Sequence, residues 1–568
     1  MGWNAHLRGL VPTTDDWALL PKSWRMDLTA GVTVGIVALP LALAFGVSSG
    51  VGAASGLITA IIAGAVAALF GGSHVQVSGP TGAMVVILAP IVAQHGAGAV
   101  ALLSVMAGAM VLGLGLFRLG RAVALIPWPV VEGFTLGIGT IIFLQQVPMA
   151  LGTSVVPGHN TVVAAAHAIG AASWPTALVT LTVVIGSAAV ILLAPRLHPS
   201  LPGSLIAVVL ATVAVEMLGA DIPRIGELPA SLPAPALPHV DLHLLSTLSG
   251  AALAVALLAA IESLLSVRVA AGLSGVGSYN PDRELVGQGL ASVASGVFGG
   301  MPATGAIART AVNVRAGART RLSAVVHAFV LLGVVYLASG WVSRMPLAAL
   351  AGVLMVTAAR MIPVRTARTI FASTRSDALV FTATAFVTLA FDLIQAIAIG
   401  VLAAAFFALR TVARLSGVVR ENLPGHAVDG DDRIALFRLD GAMFFGAADR
   451  IVDQVERVKG VEVVILRMSR LNILDASGAK ALLEVVEGLE SRGITVLIKG
   501  LRPAHMRLAE NVGVLAALRH EEHLFIETAD AIEHARSHVR RAEAARAGGD
   551  GVPTRKSRPS RVTHSVGV

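Results

Sequence analysis

The chain contains no cysteine among its 568 residues. That excludes disulfide bonds, thiol chemistry and cysteine-based metal sites. Charge is also scarce: Asp, Glu, Lys and Arg make up 13% of the sequence against 55% hydrophobic residues, so most of it cannot be a soluble globule. No P-loop, nucleophile triad or metal-ligand spacing stands out. An enzyme reading therefore has little behind it, and neither a cofactor nor a metal is expected. No secretory signal is visible. The net charge of +8 does not imply a nucleic-acid partner, because the arginines sit mainly in loops between apolar runs and in the C-terminal tail. There they set topology against anionic lipid.

What the chain has instead is a long series of apolar runs between Leu28 and Leu409. Runs of about 18 residues are the signature of membrane-spanning helices. Hydropathy places helices near 28–47, 52–70, 79–94, 98–117, 122–144, 174–194 and 202–219. A second set falls near 247–270, 286–299, 303–316, 322–341, 345–360, 378–391 and 393–412. The prediction is an all-α membrane domain of 14 transmembrane segments arranged as 7+7 repeats over 28–219 and 247–412. An odd number of spans inverts the second repeat. Residues 1–27 form a polar N-terminal segment, with Trp3, Trp17 and Trp24 beside Lys22 and Arg25, suited to the membrane interface.

Two stretches recur in these sets. Phe70-Gly71-Gly72 leads into Ser78-Gly79-Pro80-Thr81-Gly82-Ala83-Met84, and Phe298-Gly299-Gly300 leads into Met301-Pro302-Ala303-Thr304-Gly305-Ala306-Ile307. Glycine-rich breaks at corresponding positions of two halves point to a transporter's binding site. A helix that starts in mid-membrane leaves its first N–H groups unpaired at the positive end of its dipole. Irregular backbone at that depth must line a cavity or be buried in protein. Two such ends facing one another would hold an anion. Two kinked helices at tight crossings are the alternative.

Charge supports the inverted count. With a cytoplasmic N-terminus, the inside loops carry Arg118, Arg121, Arg196, Arg268, Arg283, Arg315, Arg319, Arg321, Arg360, Arg365, Arg368 and Arg375. Loop 145–173 has no Lys or Arg, loop 220–246 sets a lone Arg224 against Asp221, Glu227 and Asp241, and Arg344 is the other arginine on the wrong side. This positive-inside pattern puts both termini in the cytoplasm. After Arg414 the composition shifts, and Ile434–Phe437, Val461–Met468 and Ile494–Ile498 read as strands. Helical stretches near 447–458, 477–491 and 503–511 alternate with them, implying a small cytoplasmic α/β domain over 430–537. Residues 538–568 read as a disordered basic tail.

Several motifs together resemble the sulfate permease (SulP) family of anion transporters. They are Ala30-Gly31-Val32-Thr33-Val34-Gly35-Ile36 with Pro40, Gly79-Pro80, Ile261-Glu262-Ser263-Leu264-Leu265, and Pro302-Ala303-Thr304-Gly305-Ala306-Ile307-Ala308-Arg309-Thr310. Asn472-Ile473-Leu474-Asp475-Ala476-Ser477-Gly478 resembles the STAS domain that follows the membrane part in this family. The resemblance implies an inverted repeat in which a core domain moves against a gate domain, commonly in a homodimer. It does not name the substrate, since bicarbonate carriers and sulfate and dicarboxylate permeases share these motifs. One departure bears on selectivity: many eukaryotic sulfate members carry Pro-Gln where this chain has Pro40-Leu41.

The substrate site is expected at Ser78, Gly79, Thr81, Gly82, Ala303, Thr304, Gly305 and Arg309. Counting the second broken helix from Ala303 puts Arg309 about a turn and a half inside it, leaning back to its mouth. There the guanidinium would join the dipoles as a fork of donors for an anion; a fixed tether to Glu262 is the other reading. The threonines would offer hydroxyls, unless they bond their own helices. Glu262, in an otherwise apolar run, is a candidate coupling residue together with Ser266. Relatives that take up bicarbonate with sodium tend to have Asp and Thr at these positions, so Glu and Ser favour protons, with sodium as the alternative. Ser477 is a candidate regulatory phosphosite or a simple helix-start residue. Glu132 and Asp392 read as structural, and His74 and His95 as scattered.

The leading expectation is proton-coupled uptake of sulfate, or of a dicarboxylate such as fumarate or succinate, across the plasma membrane by alternating access. Sodium-driven bicarbonate uptake, an uncoupled anion channel and a membrane-anchored signalling module built around Ser477 are the alternatives.

Overall fold

The computed structural model describes residues 3–123, 127–153, 161–198, 201–238, 240–274, 279–390, 393–444, 452, 455 and 457–547. It divides into two compact units, Met1–Ala404 and Ala405–Val568.

Each of the fourteen apolar segments corresponds to a helix. The first set is α1 (Leu20–Ser48), α2 (Ala53–Phe70), α3 (Gly82–His95), α4 (Gly98–Leu116), α5 (Trp128–Gln145), α6 (Trp174–Leu197) and α7 (Gly203–Leu218). The second is α8 (Leu242–Ser274), α9 (Pro281–Val297), α10 (Ile307–Arg315), α11 (Leu322–Val342), α12 (Leu347–Met361), α13 (Arg375–Ala390) and α14 (Leu393–Leu415). Among the described residues, eight helices are long and apolar enough to cross a membrane. The half-helices α3 and α10 are much shorter, because each follows a two-residue strand: β1 (Ser78–Gly79) and β2 (Thr304–Gly305).

Two boundaries differ from the hydropathy reading. Helix α1 begins at Leu20 rather than near 28, with Pro21 in its first turn, where a missing N–H does no harm. Its polar start is stabilised by capture of Asp27, which accepts from the Arg319 N–H (2.7 Å), the Thr320 N–H (2.9 Å) and the Ser23 hydroxyl (2.7 Å). Helix α10 begins at Ile307, not Ala303, because Thr304 and Gly305 are taken up by strand pairing.

Glycines set the closest crossings. A Cβ on Gly108 of α4 would lie 2.7 Å from the Gly289 carbonyl of α9, and one on Gly289 would lie 2.5 Å from the Leu112 nitrogen. The two backbones therefore touch, the small-residue packing that replaces hydrophobic drive inside lipid. Contacts also recur between the halves. Helix α1 packs on α11 as α8 packs on α4; α5 packs on α13 as α12 packs on α6; and α2 packs on α9.

Ahead of α1, Asp16 is buried and clamps two arginines. Arg283 donates to both its oxygens (2.9 and 2.6 Å), and Arg321 to one (3.2 Å). Burial alone would raise the Asp16 pKa, but the Arg283 hydrogen bond, the Thr13 N–H and the two positive charges outweigh it, holding the carboxyl down at about 2.

In the second unit, β3 (Gly417–Glu421), β4 (Ile434–Met443), β5 (Val463–Leu474), β6 (Thr495–Lys499) and β7 (Leu524–Phe525) form one sheet in that order. Only β3 is antiparallel to its neighbour. Helices α15 (Ala476–Ser491) and α16 (Pro503–Val512) and the final helix α17 (Thr528–Ala547) complete it. Ile532, Ala535 and Val539 of α17 bury against Ile434, Ile465 and Leu497 of the sheet. That apolar stripe carries the helix to Ala547, so residues 538–547 are not part of a disordered tail, as the Arg-rich composition suggests. Residues 548–568, Asp392 and most of 447–458 lie outside the described residues.

Candidate functional site at the crossed half-helices

Proline and glycine end each hydrophobic run before the bundle is crossed, and the two breaks meet. Ser78 pairs with Gly305 and Gly79 with Thr304, antiparallel, and the Ala306 N–H extends the ladder to the Val77 carbonyl (2.9 Å). Antiparallel strands send the helices that follow them in opposite directions, so the N-termini of α3 and α10 lie on either side of one two-stranded crossing. Neither end has a side-chain cap: Thr81 and Ala306 occupy the cap positions without bonding the first turn. The leading amides and the positive dipole ends are left for something else.

Thr81 does not cap α3 because its hydroxyl donates to Glu262 Oε2 (2.9 Å). Both residues are only partly buried. Arg309 is the third residue of α10 and is 2% exposed. Its Nη2 donates to the Pro80 carbonyl, while Nη1 has no hydrogen-bond partner among the described residues. The guanidinium therefore spans from one half-helix to the entry of the other, and the fixed Arg–Glu tether is replaced by a bond to backbone. Gly79 makes room for it, since a Cβ there would lie 2.5 Å from Nη1.

The other expected residues are placed differently. Thr304 turns its hydroxyl into α8, donating to the Ala259 carbonyl (3.1 Å) and sharing a bond with Ser263 (2.9 Å). Ser263 also accepts from the Gly305 N–H (3.0 Å). The Thr304 hydroxyl is thus an anchor, not a free ligand. Ser78 likewise accepts from Gln288 of α9. Ser266 meets Thr310 (3.2 Å), whose hydroxyl accepts from the Val77 N–H (3.1 Å), so it props β1 and α10 and does not join Glu262. Ala303 and Gly82 are buried; a Cβ on Gly82 would press on Phe45 (3.2 Å) and Ile142. Helix α8 is thereby the rail to which the crossing is fastened: Glu262 to Thr81, Ser263 to β2, Ser266 to α10.

Sequence reasoning missed three buried polar side chains at this crossing. Both amide atoms of Gln76 lack partners, and Gln76 lies so close to Gly305 that a Cβ there would overlap it. His327 on α11 is fully buried with both ring nitrogens unpartnered. Gly64 leaves the gap that its ring shares with the Ser78 carbonyl. Gln288 keeps an unpartnered Oε1. Ionisable and amide groups inside apolar helices are the signal that would have found His327 and Gln288, whereas Gln76 lies in the coil between α2 and β1. Glu132 accepts from the Trp128 indole N–H (3.0 Å), a local bond within α5. In the second unit Ser477 is exposed in the first turn of α15, which Asp475 caps through the Gly478 N–H (2.7 Å).

A helical bundle with eight apolar helices of membrane-spanning length among the described residues, and two short half-helices meeting at a buried polar crossing, defines a multi-pass membrane protein. Residues 24–384 match the sulfate permease family and residues 426–531 the STAS domain. The chain belongs to the sulfate permease family, a family of transporters. It is 34% identical to the candidate sulfate transporter YvdB of Bacillus subtilis, over 89% of this chain and 96% of that one. It is 31% identical to the bicarbonate transporter BicA of Synechocystis, over 86% and 90%. Among solved structures, the transmembrane domain of a cyanobacterial BicA is 33% identical, with a TM-score of 0.59 over 67% of this chain and 97% of that one. Murine Slc26a9 in an inward-facing state shares the fold at 16% identity, with a TM-score of 0.84 over 94% and 95%.

Proposed function

We propose that this chain is a secondary active transporter of a small anion, sulfate or a dicarboxylate such as fumarate or succinate. The observation that carries the reading is the pair of uncapped half-helix ends with the unpartnered Nη1 of Arg309 between them. An oxyanion there would accept from backbone amides, two dipoles and one guanidinium. The fourteen helical segments act as 7+7 inverted spans, supported by contacts that recur between the halves and by the arginine-rich loops of one side. In this reading both termini and the STAS domain lie in the cytoplasm and the protein lies in the plasma membrane. Alternating access moves the crossing, carried by α1–α4 and α8–α11, past the remaining helices. Glu262, bonded to the cap residue of α3, couples proton movement to that step.

Sodium-dependent bicarbonate uptake is the second reading, favoured by the BicA relatives. Uptake of labelled sulfate, fumarate and bicarbonate into proteoliposomes, with pH and sodium gradients imposed separately, tests both. The expected result is accumulation driven by an inward proton gradient without sodium. Sodium dependence with no response to pH would end the proton version and leave bicarbonate.

A further inference from the structure

The STAS-type unit holds a histidine cluster of its own, in a different unit from the half-helix crossing. His534 and His538 stand one turn apart on α17, with their Nε2 atoms 3.2 Å from each other. His523, from the turn just before β7, is 1% exposed and packs its ring against both, at centroid distances of 5.4 and 5.3 Å. One ligand nitrogen from each of the three lies within 4.8 Å of the others. His523 Nδ1 is buried without a hydrogen-bond partner among the described residues, which leaves that nitrogen open to a ligand.

We propose that His523, His534 and His538 form a binding site for a divalent transition-metal ion of the zinc class. Two imidazole nitrogens on one tetrahedral zinc, each about 2.0–2.1 Å from it, stand about 3.3 Å apart. His534 and His538 already have that spacing, and His523, with a ligand nitrogen within 4.8 Å of theirs, would complete a three-histidine face with one position left for water. His523 and His538 present neutral lone pairs at pH 7. Burial, then the neighbouring histidines and Arg519, hold His523 down at about 4; burial, Arg541 and the same neighbours do so for His538. Arg519 does not repel the ion with a free charge, since it pairs with Glu490 at 2.8 Å. Occupancy ties α17 to the turn that enters the edge strand β7, fixing the final helix against the sheet.

The test uses tag-free, full-length protein, stripped with chelator and titrated with zinc chloride against a chromophoric indicator. One zinc per chain is expected, with binding weakened by more than about 100-fold in His534→Ala and in His538→Gln. Cobalt(II) should give the intense visible bands of a tetrahedral site, absent in both variants. As a check needing no variant, zinc should shield His523, His534 and His538 of the parent protein from diethyl pyrocarbonate, read by mass spectrometry. No retained zinc, stoichiometry unchanged by either substitution, or equal labelling with and without zinc would overturn the site.

Discussion

Replacing Arg309 with Ala removes one donor from the crossing and leaves another group stranded. Nη1, which has no partner among the described residues, is the donor available to an anion, and a hydrogen bond from a charged donor contributes about 1.5–3 kcal/mol. At about 1.4 kcal/mol per tenfold, the dissociation constant for a dianion should rise by roughly 10- to 150-fold. The same change leaves the buried Pro80 carbonyl without its Nη2 donor, at about 1–3 kcal/mol of stability. Arg309→Lys separates the two effects. It keeps the charge but cannot serve Pro80 and the anion with a planar fork, so binding should fall between parent and alanine variant. The assay is equilibrium binding of labelled sulfate and fumarate to purified protein, with size-exclusion profiles showing that each variant is folded. A monodisperse Arg309→Ala protein with unchanged affinity for every anion the parent binds would refute the placement of the anion.

Gly79→Ala sets a Cβ 2.5 Å from Arg309 Nη1 at a φ of +154°, so it should abolish uptake into proteoliposomes and lower the thermal midpoint of the purified protein. Glu262→Gln keeps an acceptor for the Thr81 hydroxyl but carries no titratable proton. Net uptake should lose its pH dependence while anion exchange persists, and an unaltered pH profile would count against coupling. Asp16→Asn breaks a buried carboxylate clamp on two arginines and should destabilise the N-terminal segment by about 3–5 kcal/mol, seen as a lower thermal midpoint. Because the folded pKa of Asp16 lies at about 2, below its ordinary value, its stabilisation is complete above about pH 4 and fades as pH falls through 2. The thermal midpoint of Asp16→Asn should therefore converge on the parent's in acid.

How far the sequence reached depends on whether each feature is local. Fourteen helices were legible because hydropathy and length are properties of a contiguous run, and the two breaks were legible because Phe-Gly-Gly and proline act on their own backbone. The α/β order of the second unit followed from the same local periodicity, although β3 and β7 were too short or too polar to register. Arg309 and Glu262 could be singled out because a charge in an apolar run is conspicuous wherever it points.

Partnership was decided only by tertiary structure. That the two breaks pair as strands, pushing the start of α10 to Ile307, requires residues more than two hundred positions apart to meet. The same holds for Thr304 turning into α8, for Ser266 meeting Thr310, and for Gln76 and His327 arriving at the crossing. In the second unit the His534 and His538 spacing could be read from one helix, but the third histidine comes from a different turn. Composition and periodicity settle which segments are helical and where backbone must break. Which hydroxyl is consumed as an anchor and which donor is left open depends on through-space neighbours, because a hydrogen bond is satisfied by whatever the fold brings within about 3 Å.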